Sequence, residues 1–346
     1  MLAPRCESLK GLPLLKPESW LYPTERGLYC APGGFYIDPH QPAERAVITH
    51  GHSDHARPGH GAVLATAETI AVMQVRLGAN AAGTFQSYDQ PVTMGGVSVR
   101  LVPAGHILGS AQVVLDYQGF RAVVSGDYKR ARDPTCAPFE PVRCDLFVTE
   151  ATFALPVFRH EPADQEARRL IASIVANPER CHLLGVYGLG KCQRMIALLR
   201  AEGYDAPIYL HGALDNVCTL YRRLGFDLGA TRLAKDATPA ELTGALVMAP
   251  PSALNDRWSR RLPDPVTCFA SGWMRVRGRV RQRGVELPLV VSDHADWPEL
   301  IATIAETEAE EIWVTHGRDD ALVHEIGKSG KRARALALVG FEDEGD

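Results

Sequence analysis

The chain has 346 residues, 46% of them hydrophobic and 23% charged, a balance that supports one large or two moderate globular cores and excludes a disordered polypeptide. No apolar run reaches the roughly 20 residues of a bilayer span, and the opening stretch 1–20 lacks the apolar core of a signal peptide, so a cytoplasmic protein with no membrane partner is expected. With a formal net charge of −4, the molecule as a whole does not attract a polyanion, which would need a local basic surface or bound cations.

Along the first third, short apolar segments at 46–49, 97–102, 112–115 and 121–125 alternate with turns rich in glycine and proline, and read as sheet strands. Ile70, Met73 and Leu77 recur at helical spacing and predict a helix over Ala67–Leu77. From about residue 155 helix and strand alternate: helix at Ala163–Ala176, strand at 182–187, helix at 191–202, strand at 207–210 and helix at 214–224. After Gly284 a strand at 287–291, a helix at Trp297–Glu306 and a strand at 312–315 follow. The simplest organisation is a layered catalytic unit split by an insertion and completed by its C-terminal return. The eight cysteines, Cys6, Cys30, Cys136, Cys144, Cys181, Cys192, Cys218 and Cys268, form no CxxC pair. That pattern disfavours zinc knuckles and a disulfide scaffold.

The chemistry concentrates in Val47-Ile48-Thr49-His50-Gly51-His52-Ser53-Asp54-His55, an HxHxDH pattern directly after an apolar strand. Residues i and i+2 at a strand end project the same way, so His50 and His52 can grip one metal ion. Asp54 and His55, on the turn beyond, can reach a second. Three later elements each place a ligand-type residue after a strand: His106 in Gly105–Ser110, Asp127 in Ser125-Gly126-Asp127-Tyr128, and His316 in Val314-Thr315-His316-Gly317. Singly these are weak, but with HxHxDH they supply the count needed for two metals. His40, His60, His160, His182, His211 and His324 have no comparable setting; His182 and His211, beside predicted strands, read as satisfied core residues.

Together HxHxDH, His106, Asp127 and His316 resemble the successive metal motifs of the metallo-β-lactamase superfamily. Asp38, in Phe35-Tyr36-Ile37-Asp38, is similar to the aspartate that braces that site. Glu150 and His294, in Asp293-His294-Ala295-Asp296, resemble the added motifs of its β-CASP nuclease branch. The resemblance implies an α/β fold, a metallo-β-lactamase αββα sandwich (1–154, completed by 285–346) with an inserted α/β β-CASP cap domain (155–284). It also implies two divalent metal ions, zinc with manganese as the alternative. One would be held by His50, His52 and His106, the other by Asp54, His55 and His316, with Asp127 bridging. His294, braced by Glu150, would be the general acid, and Asp54 belongs to the catalytic set.

Two features suit a polyanionic substrate. Tyr187-Gly188-Leu189-Gly190-Lys191 joins a strand to a helix, so that Gly188, Gly190 and Lys191 could hold a phosphate. Arginine occupies every second position at Arg275, Arg277, Arg279, Arg281 and Arg283, with no acid from 271 to 284. In an extended segment all five share one face, forming either a phosphate track or a solvated basic edge. The segment Ala270-Ser271-Gly272-Trp273 resembles DNA-crosslink-repair and Artemis-type nucleases, and the compact chain resembles bacterial ligase-associated DNA exonucleases. A DNA substrate is therefore expected, with a DNA ligase and a helicase of the same repair pathway as partners. The histidine at 316 is the pattern of RNA-processing members, which keeps an RNA nuclease as the alternative. A small-molecule hydrolase and a non-catalytic binding subunit are the remaining classes, disfavoured by the Glu150 and His294 pair and by the intact ligand set.

Overall fold

The computed structural model describes residues 16–78, 83–317 and 319–337; Cys6, most of the opening stretch and the end of the C-terminal segment lie outside them. The first sheet is built in chain order from β1 (Leu21–Thr24), β2 (Gly27–Cys30), β3 (Phe35–Ile37), β4 (Arg45–Val47), β5 (Ala62–Ala65) and β6 (Thr84–Phe85). The first three strands pair antiparallel and the rest parallel. The second sheet begins as an antiparallel meander of β7 (Val92–Met94), β8 (Val97–Pro103), β9 (Ala111–Tyr117) and β10 (Phe120–Val124), and β11 (Leu146–Ala151) adds parallel to β10.

Six strands then form a separate, wholly parallel sheet in the order β14-β13-β15-β12-β16-β17: β12 (His182–Gly185), β13 (Ile208–Leu210), β14 (Thr231–Leu233), β15 (Leu246–Ala249), β16 (Val266–Ala270) and β17 (Leu287–Leu289). Finally β18 (Glu311–Gly317) returns beside β11 and β19 (Arg332–Ala335) beside β18, closing the second sheet. The strand placed after Gly284 by the sequence reading, at 287–291, thus pairs with β16 in the third sheet rather than joining the return.

Side-chain alternation explains the layers. On β8, Val97, Val99 and Leu101 point one way, into a core shared with Leu28, Phe35, Ile37, Val47 and Leu64 of the first sheet. The central strand β11 is buried on both faces: Leu146 and Val148 enter that inter-sheet core, while Phe147 and Ala151 turn to the outer one. That outer core is covered by α7 (Trp297–Glu306), through Leu300 and Ile304, and by α8 (Asp319–Lys328), through Leu322 and Ile326. The opposite face, with Ile48, Val63 and Ala65, is covered by Ile70 and Met73 of α1 (Ala67–Leu77). The result is an αββα sandwich with an inserted α/β layer.

The third sheet has its own two cores. Leu184, Ile208 and Met248 pack under α2 (Ala163–Ala176), α3 (Lys191–Ala201) and α4 (Gly212–Arg223), while Leu183, Val247 and Phe269 face Leu254, Leu262, Met274 and Leu242 of the short α5 (Pro239–Leu242). The first of these cores also takes in Val72, Ile107 and Leu108 of the sandwich, so the inserted unit is docked by apolar contact. Gly190 sits at the joint with φ +86°, and an added Cβ would collide with Ile107. His182 is fully buried with Nε2 2.9 Å from Ser173 Oγ, whereas His211 is a helix cap of α4 rather than a core residue.

Candidate metal centre

The motifs that name ligand-type side chains lie at or just past the carboxyl ends of strands. Asp38 follows β3, His50 to His55 follow β4, His106 follows β8, Asp127 follows β10, and Glu150 and His316 lie in the last turns of β11 and β18. The register between β11 and β18 slips between Thr149 and Ala151, so Glu150 stands at a bulge, and His316 opposite takes a left-handed φ of +58°. Such irregularities re-aim side chains at strand ends. Gly126, with φ +55°, lets the β10 turn pass Thr49, whose Cβ would lie 2.7 Å from an added Cβ.

One oxygen forms the centre. Asp127 Oδ2 lies 3.4 Å from His50 Nε2, 3.4 Å from His55 Nε2, 3.7 Å from His106 Nε2 and 3.9 Å from His294 Nδ1. The donor atoms of His50, His52, His106 and Asp127 fall within 4.8 Å of one another, as do those of Asp54, His55 and Asp127, and those of Asp127, Glu150 and His294. His316 lies against His55, with ring centroids 5.2 Å apart.

Behind each inner imidazole is an acceptor that fixes its tautomer. Thr49 Oγ gives its proton to Asp38 Oδ2 (2.5 Å) and receives one from His50 Nδ1 (3.0 Å). His55 Nδ1 donates to Asp38 Oδ2 (2.7 Å), His106 Nδ1 to the Asp293 carbonyl (2.8 Å) and His52 Nε2 to the Leu189 carbonyl (3.2 Å). Asp38 is further held by the Thr49 amide at 2.7 Å. The nitrogens left facing the centre are therefore lone-pair acceptors. His52 Nδ1 lies only 2.9 Å from His106 Nε2 and 3.2 Å from His50 Nε2. Lone pairs converging so closely, beside a buried Asp54 Oδ1 with no hydrogen-bond partner among the described residues, are the donor set a divalent cation requires. These residues fit metal ions.

The electrostatics agree. Burial works against charge on Asp127, yet His55, His294 and His50 hold its carboxyl well below the ordinary range. Burial likewise opposes charge on His55, but Asp127, Asp54 and Asp38 together push its pKa well above normal, so positive charge is wanted at that spot. Burial and the crowd of imidazoles, His294 and His52 foremost, depress His106 to about 3.

Two substrate-side readings are corrected. Residues Arg277–Arg283 form a helix, α6, preceded by a 3-10 turn at Gly272–Arg275. At 100° per residue the alternate arginines do not share a face: Arg277 and Arg281 fall on one side, Arg279 and Arg283 on the other. Arg279 rests 5.2 Å over the Trp273 ring and Arg283 4.8 Å over Phe269. All five arginines are exposed. At the Gly188 to Lys191 turn, the Gly190 amide donates to Gln193 Oε1 (2.9 Å) and Lys191 is fully buried, 3.6 Å from Asp293. Neither faces solvent to hold a phosphate, and Gly188 is half-buried. Helix capping and an internal ion pair have taken the groups that the strand-to-helix pattern offered.

Thr49, Tyr128, Asp293 and Arg194 were missed as site residues. Thr49 and Tyr128 flank named ligands, but only the packed strands reveal which backbone and hydroxyl groups they present.

No family model matches the chain. It is 27% identical over 322 residues to a protein named probable DNA ligase of Opitutus terrae, covering 92% of this chain and 31% of that one. It is 30% identical over 142 residues to the cleavage and polyadenylation specificity factor subunit 3 of Dictyostelium discoideum, covering 38% of this chain and 18% of that one. Over 219 residues it is 29% identical to the endoribonuclease YSH1 of Mycosarcoma maydis, covering 50% and 24%. These relatives support the metallo-β-lactamase/β-CASP family at low identity. The chain spans about a third or less of the curated relatives it matches. A crystal structure of a protein of unknown function from Enterococcus faecalis superposes with a TM-score of 0.53 at 14% identity, over 86% of this chain and 80% of that one, a likeness of fold alone. No helix among the described residues is long and apolar enough to cross a membrane.

Proposed function

We propose that this chain is a two-metal phosphodiesterase that hydrolyses DNA, acting as an exonuclease in repair. The observation that carries the reading is Asp127 Oδ2, a single carboxylate oxygen shared by two donor sets, with His294, held by Glu150, 3.9 Å away. His50, His52, His106 and Asp127 would hold one ion, and Asp54, His55, Asp127 and the adjacent His316 the other. Divalent ions there, zinc or manganese, supply Lewis-acid charge against phosphoryl oxygens and lower the pKa of water.

The chain's own groups do the rest. Glu150 engages His294 Nδ1 at 2.9 Å, so the proton handed to the departing oxygen comes from Nε2. Thr49 and Asp38 keep His50 and His55 turned inward. The exposed arginines around α6 give the acidic molecule a local basic surface: Arg279 lies on Trp273, whose ring is 5.0 Å from Phe153, itself 6.2 Å from the His294 ring. Arg275 and Arg279 would carry phosphates toward the site, with Arg277, on the other side of α6, contributing less. The third sheet is the cap of this reading, 155–284 lengthened to include β17.

DNA is favoured because the relative matched over 92% of this chain is named probable DNA ligase, which also supports joint action with a ligase; a helicase of the same repair pathway is the further partner in this reading. The endoribonuclease-named relatives favour RNA as the second reading. Incubating the purified chain, loaded with zinc or manganese, with end-labelled DNA and RNA of matched sequence tests both: shortening of DNA from one end is expected, cleavage of RNA alone installs the second reading, and inertness toward both removes the proposal.

A further inference from the structure

Four charged side chains are buried where α3 meets the metal centre, and the chemistry above does not use them. Lys191 has no exposed surface, while Arg194, Asp133 and Asp293 are 2%, 3% and 4% exposed. Lys191 Nζ lies 3.6 Å from Asp293 Oδ2, Arg194 Nη1 3.2 Å from Asp293 Oδ1, and Arg194 Nε 3.7 Å from Asp133 Oδ2. Arg194 Nη1 also donates to the Ser292 carbonyl at 2.5 Å. Two cations and two anions cancel, but stability does not explain them: the desolvation of buried pairs commonly matches or exceeds their attraction.

What the cluster does is hold one turn of chain. The Asp293 carbonyl receives His106 Nδ1, and the next residue is His294. Leu189, two residues before Lys191, offers its carbonyl to His52 Nε2. Two of the three imidazoles in the first donor set therefore take their orienting hydrogen bonds from the inserted unit or from the turn it clamps, while His50 alone is oriented from within the first sheet.

We propose that Lys191 and Arg194 are positioning residues: by clamping Asp293 they fix the carbonyl that orients His106, and so make metal affinity at the His50, His52 and His106 set depend on the docked inserted unit. The inference rests on the metal-binding part of the proposed function and on no other part of it.

The test uses the full chain, stripped of metal and titrated with cobalt(II), whose visible absorption reports its ligands. Lys191→Met should weaken one of the two binding steps about 10- to 100-fold, the range for loss of an outer partner of a ligand, and leave the other step unchanged. Lys191→Arg should recover most of the affinity, because a guanidinium still pairs with Asp293. Lys129→Met breaks a partly buried pair, 2.7 Å from Glu299, and should shift neither step. Unfolding of the same metal-free proteins separates a general loss of stability from the specific loss of affinity. Should Lys191→Met fail to fold, Asp293→Asn keeps the carbonyl while weakening the clamp, and the same shift is expected. Wild-type affinity in a folded Lys191→Met or Asp293→Asn protein overturns the proposal. Because no nucleic acid enters the titration, metal binding without nuclease activity would remove the proposed function and leave the clamp standing.

Discussion

His294 Nδ1 lies 2.9 Å from Glu150 Oε2, on a carboxylate with no exposed surface. The other Glu150 oxygen accepts the Tyr128 amide at 2.8 Å, so the pair is locked into the strand end that also carries Asp127. Burial, with Asp127 nearby, raises the Glu150 pKa against the pull of His294. An imidazole backed in this way is kept in one tautomer. His294→Ala should retain metal by elemental analysis yet lose roughly 10²- to 10⁴-fold in rate. The loss should shrink on a substrate with a better leaving group. An equal loss on both substrates would reassign His294 to positioning.

Metal stoichiometry tests the shared oxygen. Because Asp127 belongs to both donor sets, the purified chain should carry about two ions, and Asp127→Ala should lose both together with activity, whereas Asp54→Ala should lose one ion and still abolish hydrolysis. Chelation should lower the melting temperature, since ligand present at about 1,000 times its Kd adds about 4 kcal/mol to the native state. A metal-free, fully active preparation would sink the mechanism.

His160 supplies a pH test that does not involve a metal ligand. Both its ring nitrogens are buried without hydrogen-bond partners among the described residues, and burial, with Lys129, Lys191 and His294 nearby, pushes its pKa down to about 3. The folded value lies below the unfolded one of about 6.5. The unfolded chain therefore takes the proton first on acidification. The contribution of neutral His160 is intact above pH 6.5 and is lost as the pH falls toward 3. His160→Phe, packing beside Phe153, should therefore gain on the wild type by about 1.4 kcal/mol per pH unit below roughly pH 6. Urea unfolding of both proteins between pH 7 and 5 checks this; parallel curves would show that His160 takes up its proton as readily in the folded chain as in the unfolded one.

The helical geometry of α6 splits the arginines into pairs that can be tested separately. Affinity for a single strand should fall by about 0.7 log units per log unit of salt for each phosphate neutralised. Replacing Arg279 and Arg283, the pair carried on Trp273 and Phe269, by Ala should flatten that slope by about one to two contacts, and the Arg277 and Arg281 pair should matter less. Turnover of a very short substrate should hardly change in either double variant. An unchanged slope in both would show that the arginines only face solvent.

The local chemistry was legible in the chain because each motif is short and sits at the end of an apolar strand. Alternation along Val97, Val99 and Leu101, and the i, i+2 spacing of His50 and His52, are properties of a strand that no distant residue needs to confirm. Which side chains meet is another matter. Glu150 and His294 are 144 positions apart and come together only when β11 and the end of the inserted unit pack on one centre, and the bulge that aims Glu150 exists only once β18 has paired. Local reading failed where two local structures compete for one pattern. Arginine at alternate positions suits an edge strand, but it equally suits a helix whose arginines can lie on Trp273 and Phe269, and those rings are supplied by the fold. Lys191 followed the same logic: a lysine after a glycine turn is a phosphate ligand if it faces water and a clamp if a buried aspartate lies behind it, and only the docking of α3 against Asp293 decides which.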